Sequence, residues 1–373
     1  MPYSGHSVAP RATDALLAGC TAHVPLQSAW VEALSTFAIG TVAQVLIATA
    51  LYNLSSQPGA RSLLGGCMAI LYAGSPFLVL PRLDPVAPVT LFVVASLGMT
   101  GFFKTLQAAC GLFPKGSDAN LATYVQCFLA VPPQRWSKGK VVRAAPGEMI
   151  EAVTAFLTQF AMLGAVLSLL LSGAGVFPFG SSTHAARLSG TILHTWALYL
   201  FLAILTGFGG LVTVAGGISA EEAFNEPLSS SRSFKETWGE RWNLVVHGFL
   251  KSLVYKPARA AGLPALVATV LTFVSSGLLH EYMYAIHNAG AYQPGHVCAF
   301  FVAMGCVMIV EQRISPLFPA ALRDAWGALP SFVTATVLLA LSAPLVDSLY
   351  MASWRESGML PAMGDLVFTV RCE

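Results

Sequence analysis

The chain has 373 residues, of which 55% are hydrophobic and only 10% are charged, and its formal net charge at pH 7 is +2. Soluble domains average about 25% charged residues, and a soluble fold of this length needs more polar surface than this composition supplies. Together with a mean hydropathy of +0.67, these values predict an integral membrane protein. The small net charge and the absence of a lysine- or arginine-rich block argue against nucleic acid as a partner.

Apolar stretches follow one another along most of the chain. A helix needs about 20 apolar residues to cross the hydrocarbon core of a bilayer, and eight segments approach that length. They lie near 28–52, 62–81, 86–103, 148–172, 188–217, 261–285, 296–314 and 328–350. The sequence therefore predicts an all-α polytopic membrane protein of about eight transmembrane helices. Without an internal repeat, we expect one integral domain over 28–350, flanked by tails at 1–27 and 351–373.

The basic residues predict how these helices are oriented. Fifteen of the 20 lysines and arginines fall into one set of alternate loops, mainly 104–147 and 218–260. Because lysine and arginine are retained on the cytoplasmic side, these two long loops are predicted to face the cytosol and both ends of the chain the opposite side. We expect a membrane of the endoplasmic reticulum. The sequence leaves the oligomeric state open.

Seven cysteines lie scattered at positions 20, 67, 110, 127, 298, 306 and 372. None forms a C-x-x-C pair and most lie in apolar runs, so we expect small buried side chains in preference to metal or disulfide roles. The histidines form no metal-binding cluster, and "HEYMYAIH" has Tyr284 where a zinc helix of the H-E-x-x-H type needs its second histidine. No metal is predicted.

The loop 218–260 contains a predicted amphipathic helix. Ser233 and Glu236 have the spacing of a capping box, which places the helix start there, and Pro257 is expected to end it. Two faces follow from the spacing of later residues. One carries Trp238, Trp242, Val245 and Phe249, and the other carries Gly239, Asn243, His247 and Lys251. Such a helix suits the membrane interface or a cleft. The tryptophans could equally be ordinary interface residues, and Asn243 could serve only as a backbone cap.

The segment "TFVSSGLLHEYMYAI", 272–286, places ionisable groups inside a predicted span. Such groups normally face the protein interior and mark function. Ser276, His280 and Tyr284 share one helix face, with the small Gly277 beside them, while Glu281 points elsewhere and could bond a neighbouring helix. A neutral imidazole can act as a general base near neutral pH. The alternative is a histidine tied to a backbone carbonyl between helices.

Taken together, these motifs resemble the wax-synthase branch of the membrane-bound O-acyltransferases (MBOAT), the long-chain-alcohol O-fatty-acyltransferases. "FNEP…SF…WGERWN…VYKP" is similar to the family's signature loop, "SGLLHE" to its histidine motif, and "FFKTLQAACG" to a weaker family stretch. The resemblance covers about 30 to 350 and implies an MBOAT-like core of membrane helices with interfacial amphipathic helices.

The resemblance also implies a reaction. His280 would deprotonate the hydroxyl of a lipid alcohol arriving from the bilayer, and that hydroxyl would attack the thioester of acyl-CoA, a co-substrate; no cofactor is implied. Asn243 would position the thioester or stabilise the oxyanion. Substrate contacts are expected from Trp238, Arg241, Trp242, His247, Ser276, Gly277, Glu281 and Tyr284, with Lys138, Lys235, Arg241 and Lys251 as candidate phosphate contacts.

The chain departs from the family pattern at two positions, since Thr237 replaces a phenylalanine and Glu240 replaces a basic residue. A less basic entrance could alter CoA affinity or acyl-chain preference. The acceptor could be a fatty alcohol, a sterol or a diacylglycerol. Two rival functions stay open, a lipid transporter or binding protein and a protein acyltransferase. Against a transporter, the sequence shows no matched pair of broken helices. Against a protein acyltransferase, the nearly uncharged loop 286–295 offers few groups to bind a luminal peptide.

Overall fold

The fold is built from long apolar helices, eight of which are long and apolar enough to cross a membrane among the residues described. The structure is a computed structural model that describes residues 20–80, 86–172, 184–287, 292–351, 354 and 357–372. The eight helices are α1 (Gln27–Asn53), α2 (Pro58–Val79), α3 (Pro88–Ala109), α5 (Glu148–Leu171), α6 (His184–Ala215), α11 (Ala265–His287), α12 (His296–Ile314) and α14 (Ser331–Leu345). The last two spans include the turns that continue α12 to Leu317 and α14 to Met351. The prediction of eight spans in an all-α fold is confirmed.

Shorter elements connect these spans. They are α4 (Leu121–Leu129), α7 (Pro227–Ser230), α8 (Phe234–Glu236), α9 (Leu244–Leu250), α10 (Lys256–Ala260), α13 (Ala320–Ala328) and α15 (Met359–Gly364). Turns of π-helix continue α8 over Thr237–Arg241, α9 over Lys251–Tyr255 and α14 over Val346–Met351. The short helices α7 to α10 all belong to the predicted cytosolic loop 218–260.

The span boundaries differ from the predicted ones for local reasons. Helix α2 begins at Pro58, earlier than predicted, because proline is well suited to the first helical position. Helix α3 runs on through Lys104, which we had assigned to a loop. The Lys104 amino group is buried and donates to the Cys127 carbonyl oxygen at 3.0 Å. An amino group with a hydrogen-bond partner can therefore stay inside the helix bundle.

The helices pack in pairs around α3. Helix α3 contacts α1, α2 and α11, while α5 pairs with α6 and α11 pairs with α12. Over half of the apolar window of α3 is buried, 56%, compared with 22% for α1 and 17% for α2 and α5. Helix α3 therefore lies nearest the centre of the bundle, and α1, α2 and α5 lie at its edge.

Two short antiparallel ribbons accompany the helices. One pairs β2 (Trp136–Ser137) with β3 (Lys140–Val141) in the loop before α5. The other, the terminal ribbon, pairs β1 (Cys20–His23) with β4 (Thr369–Cys372), and a disulfide joins Cys20 to Cys372. Parts of the segments predicted as tails, 20–23 and 357–372, thus pack on the bundle.

The cysteines differ from our expectation of small buried side chains. Cys20 and Cys372 form the disulfide, and among the five free cysteines only Cys127 is buried. Position in the fold explains the difference, because Cys67 and Cys306 lie on outward surfaces of spanning helices and Cys110 follows the last residue of α3. An apolar run in a spanning helix predicts an apolar environment, which lipid can supply as well as the protein core.

Candidate active site

The loop 218–260 does not form the single amphipathic helix predicted for it. The predicted start is correct, since the Ser233 hydroxyl accepts the Glu236 N–H at 3.0 Å. The helix then opens into a π-turn and stops at Trp242, whose backbone is extended, and a new helix starts at Leu244. Pro257 does not end that helix but lies in the first turn of α10. Because of this break, the residues before and after Trp242 lie on different helices, so neither predicted face is continuous.

Asn243 forms the break. Its backbone is left-handed, with φ 42° and ψ 64°, a conformation that asparagine tolerates better than most residues. The Asn243 side-chain oxygen accepts the Val246 N–H at 3.3 Å and so caps α9. Within the described residues the Asn243 side-chain nitrogen has no hydrogen-bond partner, which leaves both of its N–H groups available to a ligand.

His280 lies in the second half of α11. Its Nδ1 is 2.7 Å from the Ser276 carbonyl oxygen, and since a carbonyl only accepts, the proton belongs on Nδ1. The remaining nitrogen, Nε2, is then a proton acceptor. The imidazole stacks on Phe301 of α12, with ring centroids 4.1 Å apart. The backbone contact and the aromatic ring fix both the tautomer and the plane of the ring.

Two cavities meet at His280 and Asn243. The larger has an empty volume of about 780 Å³ and the smaller about 490 Å³, each including the space at its open mouth. Five residues line both cavities, namely Trp238, Trp242, Asn243, His280 and Phe301. The imidazole and the amide of Asn243 therefore line both cavities, which are called here the two arms of one chamber.

The arms differ in polarity. The larger arm extends between α6 and α14, where its walls are mostly apolar; the hydroxyls of Thr195 and Ser342 donate to carbonyl oxygens of their own helices at 2.8 and 2.9 Å. The smaller arm adds His247, Thr272 and Ser276. Burial, and then the charge of Lys251, lower the pKa of His247, so this imidazole is neutral near pH 7. The larger arm suits a hydrocarbon chain. The smaller arm is also mostly apolar, with Val246, Leu250 and Phe273 in its walls and the Thr272 hydroxyl donating to the Ala268 carbonyl oxygen at 2.7 Å, but a larger share of its lining residues is polar.

Six of the ten predicted site residues line these cavities: Trp238, Trp242, Asn243, His247, Ser276 and His280. Thr237, where the family pattern has phenylalanine, lines the larger arm. The remaining four, Arg241, Gly277, Glu281 and Tyr284, do not line either cavity, and each has a packing or hydrogen-bonding role elsewhere.

Gly277 and Glu281 join α11 to α12. A side-chain Cβ at Gly277 would lie 2.8 Å from the Cys298 Cα, so glycine permits the close helix approach. The Glu281 carboxylate accepts the Cys298 N–H at 2.8 Å, near the start of α12, and also accepts the Tyr292 hydroxyl. Glu281 thus bonds a neighbouring helix and holds α12 in place beside His280.

Arg241 and Tyr284 are also held by the protein. The Arg241 guanidinium pairs with the Glu236 carboxylate at 2.6 Å and donates to the Asn225 carbonyl oxygen at 3.0 Å. Tyr284 is 2% exposed and donates to the Tyr350 carbonyl oxygen at 3.3 Å. The sequence placed both near the site, but their partners could not be read from spacing.

Sequence reasoning missed the residues that α6, α12 and α14 contribute to the chamber. Phe300 and Phe301 pack around His280 and Trp238, and Tyr350 lies with its ring centroid 6.3 Å from that of His280. Aromatic residues are common in membrane helices, and nothing in their spacing distinguished these from residues that face lipid.

The sequence model of the membrane-bound O-acyltransferase family matches residues 132–351, which include the whole chamber. Among curated proteins of Arabidopsis thaliana, probable long-chain-alcohol O-fatty-acyltransferase 7 is 34% identical over 127 residues, or 32% of this chain and 37% of that protein. Probable long-chain-alcohol O-fatty-acyltransferase 9 is 30% identical over 173 residues, or 44% and 49%.

A relative with another acceptor in its name also matches. Acyl-CoA–sterol O-acyltransferase 1 of Arabidopsis thaliana is 30% identical over 102 residues, or 25% of this chain and 29% of that protein. In all three cases the chain spans less than half the length of the curated relative.

Proposed function

Because the chain belongs to the membrane-bound O-acyltransferase family, we propose that it transfers a fatty acyl group from acyl-CoA to the hydroxyl of a lipid alcohol. The observation that carries this proposal is His280, whose Nε2 is left as a proton acceptor where the two arms of the chamber meet. An ester-forming enzyme needs such a base between a hydroxyl and a thioester.

The proposed reaction uses two side chains. His280 Nε2 accepts the proton of the alcohol as its oxygen attacks the thioester carbonyl carbon, and the Asn243 amide donates to the oxyanion that forms. When the tetrahedral intermediate collapses, the C–S bond breaks and the coenzyme A thiolate takes the proton from the imidazolium. His280 thus returns to its neutral form, and the products are the ester and free coenzyme A.

The acceptor is proposed to be a long-chain alcohol. The names of the curated relatives support this choice, and so does the larger arm, whose walls offer few hydrogen-bonding atoms to a polar acceptor. The match to a sterol acyltransferase makes a sterol the second candidate acceptor, and a diacylglycerol remains the third.

The coenzyme A head is proposed to bind the basic loops on the cytosolic side. Lys235 and Lys251 are exposed and directly follow Phe234 and Leu250, which line the larger and smaller arms. The more distant Lys138 is exposed too. Arg241 is a weaker candidate than its sequence position suggested, since Glu236 already neutralises it.

A membrane of the endoplasmic reticulum, with the loops 104–147 and 218–260 in the cytosol, completes the proposal. Fifteen of 20 basic residues support this orientation. The Cys20–Cys372 disulfide joins two segments that this orientation places outside the cytosol, and disulfides persist in oxidising compartments.

The test is an ester-forming assay with purified protein in lipid nanodiscs, labelled acyl-CoA, and long-chain alcohol, sterol and diacylglycerol as separate acceptors. We expect labelled neutral ester with the alcohol, and a His280→Ala variant that retains about 10⁻²–10⁻⁴ of the rate, the usual loss for a general base. His184→Ala, which changes an exposed histidine at the start of α6, is the matched control. A chain that forms no ester with any acceptor would point to lipid binding or transport instead.

A further inference from the structure

The segment 357–372 closes one end of the helix bundle. Met359 and Met363 are fully buried and Val367 is 1% exposed, and all three belong to the same hydrophobic core as Phe92 and Trp354. Beyond this core, the segment ends in β4, whose only strand partner among the described residues is β1. The end it closes is opposite the basic loops.

The closing segment is tied to helices from both sides of the bundle. On the side of α1, the Leu26 N–H donates to the Asp365 carbonyl oxygen at 2.8 Å and the Trp30 indole N–H donates to the Leu366 carbonyl oxygen at 3.0 Å. On the side of α5, the Val370 N–H donates to the Ser168 hydroxyl at 2.8 Å. The segment therefore bridges two spans that are far apart in sequence.

The terminal ribbon is short, and β4 also depends on α5, where the Ser168 and Ser172 hydroxyls accept the Val370 and Cys372 N–H groups at 2.8 and 3.2 Å. Each strand has four residues, and the two disulfide-bonded cysteines are 352 residues apart, so no hairpin turn joins the strands. Isolated two-stranded ribbons are marginally stable at best, and bringing two distant segments together carries an entropic cost that grows with the length of the loop. The covalent bond between Cys20 and Cys372 removes this cost.

We propose that the Cys20–Cys372 disulfide is a covalent lock, formed on the oxidising side of the membrane, that keeps the segment 357–372 seated in the end of the bundle. The two thiols are oxidised, an S–S bond forms between their Sγ atoms, and two electrons with two protons pass to a disulfide oxidant such as glutathione disulfide. Reduction of the bond releases β1 from β4 and loosens the closing segment. This lock rests on the proposed membrane orientation but not on the acyl-transfer reaction.

The first test measures the bond itself in the full chain. Protein from eukaryotic microsomes is denatured with free thiols blocked by N-ethylmaleimide, then reduced and treated with polyethylene glycol maleimide. We expect two tags on each wild-type chain and on Cys67→Ser, a control that removes an exposed cysteine of α2. Cys20→Ser and Cys372→Ser should each carry none. A wild-type chain that carries no tags would overturn the proposal.

The second test measures how much the bond contributes to thermal stability and to the order of the closing segment. In nanodiscs, dithiothreitol should lower the Tm of the wild-type chain by roughly 5 °C or more, in the range that loss of a disulfide produces, while the Tm of Cys20→Ser should not respond. Hydrogen exchange should rise in 359–372 after reduction. If the bond forms but reduction changes neither the Tm nor the exchange, it is not a lock. Because reduced wild-type protein is measured directly, the result does not depend on the folding of the variants.

Discussion

His280 and Asn243 each use one polar atom to hold their position and leave another free for the proposed reaction. His280 binds a backbone carbonyl through Nδ1 and keeps Nε2, while Asn243 caps α9 through its oxygen and keeps its nitrogen. Each of the alternatives that the sequence left open is therefore present in the structure: the histidine is tied to a carbonyl, and the asparagine is a cap. Neither contact uses the atom that the proposed reaction requires.

This division allows the two roles of Asn243 to be separated by substitution. Asn243→Asp keeps an oxygen that caps α9 and a residue type that tolerates the left-handed backbone, but it removes the N–H donors. We expect unchanged thermal stability and a kcat for ester formation lower by about 10²-fold, the loss typical of one oxyanion donor.

A second variant controls for the new charge. Asn243→Gly lacks both the cap and the amide, and glycine costs only a few tenths of a kcal/mol at a capping position. Its kcat should fall as far as that of Asn243→Asp. Near-normal turnover in either variant would limit Asn243 to capping.

At the scale of elements, the joint between α11 and α12 sets the position of His280 relative to Phe301. Gly277 lets the two helices approach, and Glu281 accepts an N–H near the start of α12. The sequence indicated a neighbouring helix as a partner for Glu281, because intramembrane carboxylates usually face the protein interior and pair there. It could not identify α12 as that helix, and it predicted a substrate contact at Gly277, where the structure has a helix contact with α12.

A methyl group added at this joint should destabilise the folded protein. We expect Gly277→Ala to lower the free energy of unfolding by about 1–3 kcal/mol, the range for overpacking, because the new Cβ would meet backbone at Cys298. Gly248→Ala is the matched control, since that exposed helical glycine has nothing within 4 Å of an added Cβ and alanine is the better helix former. Thermal denaturation in nanodiscs compares the two, and equal Tm values would contradict a tight joint.

The break at Trp242–Asn243 was not predictable from local sequence. The spacing of apolar residues over 233–250 fits one continuous helix, but the start of α8 is also held by the Glu311 carboxylate, which accepts the N–H groups of Phe234 and Lys235 at 2.9 and 3.1 Å. Glu311 lies 77 and 76 residues further along the chain than these two residues, near the end of α12. These contacts with Glu311 hold the start of α8, and the chain then begins a separate helix, α9.

At the scale of the whole molecule, the spans were predictable because apolar length is a local property of the sequence and the bilayer sets a single threshold for it. The chamber and the terminal ribbon were not, because both depend on segments that meet only after the bundle has formed. The larger arm takes its walls from α6, α12 and α14, and the ribbon joins residues 20 and 372. No periodicity connects such positions.

The two arms of the chamber have a consequence for the order in which substrates bind and products leave. The proposed donor and acceptor have separate arms to occupy, with Trp238 and His280 lining both, so under the proposed reaction neither needs to leave before the other arrives. Initial rates measured against both concentrations should give double-reciprocal lines that intersect, the pattern of a ternary complex. Parallel lines would instead indicate a ping-pong scheme, in which the acyl group waits on the enzyme after coenzyme A has gone.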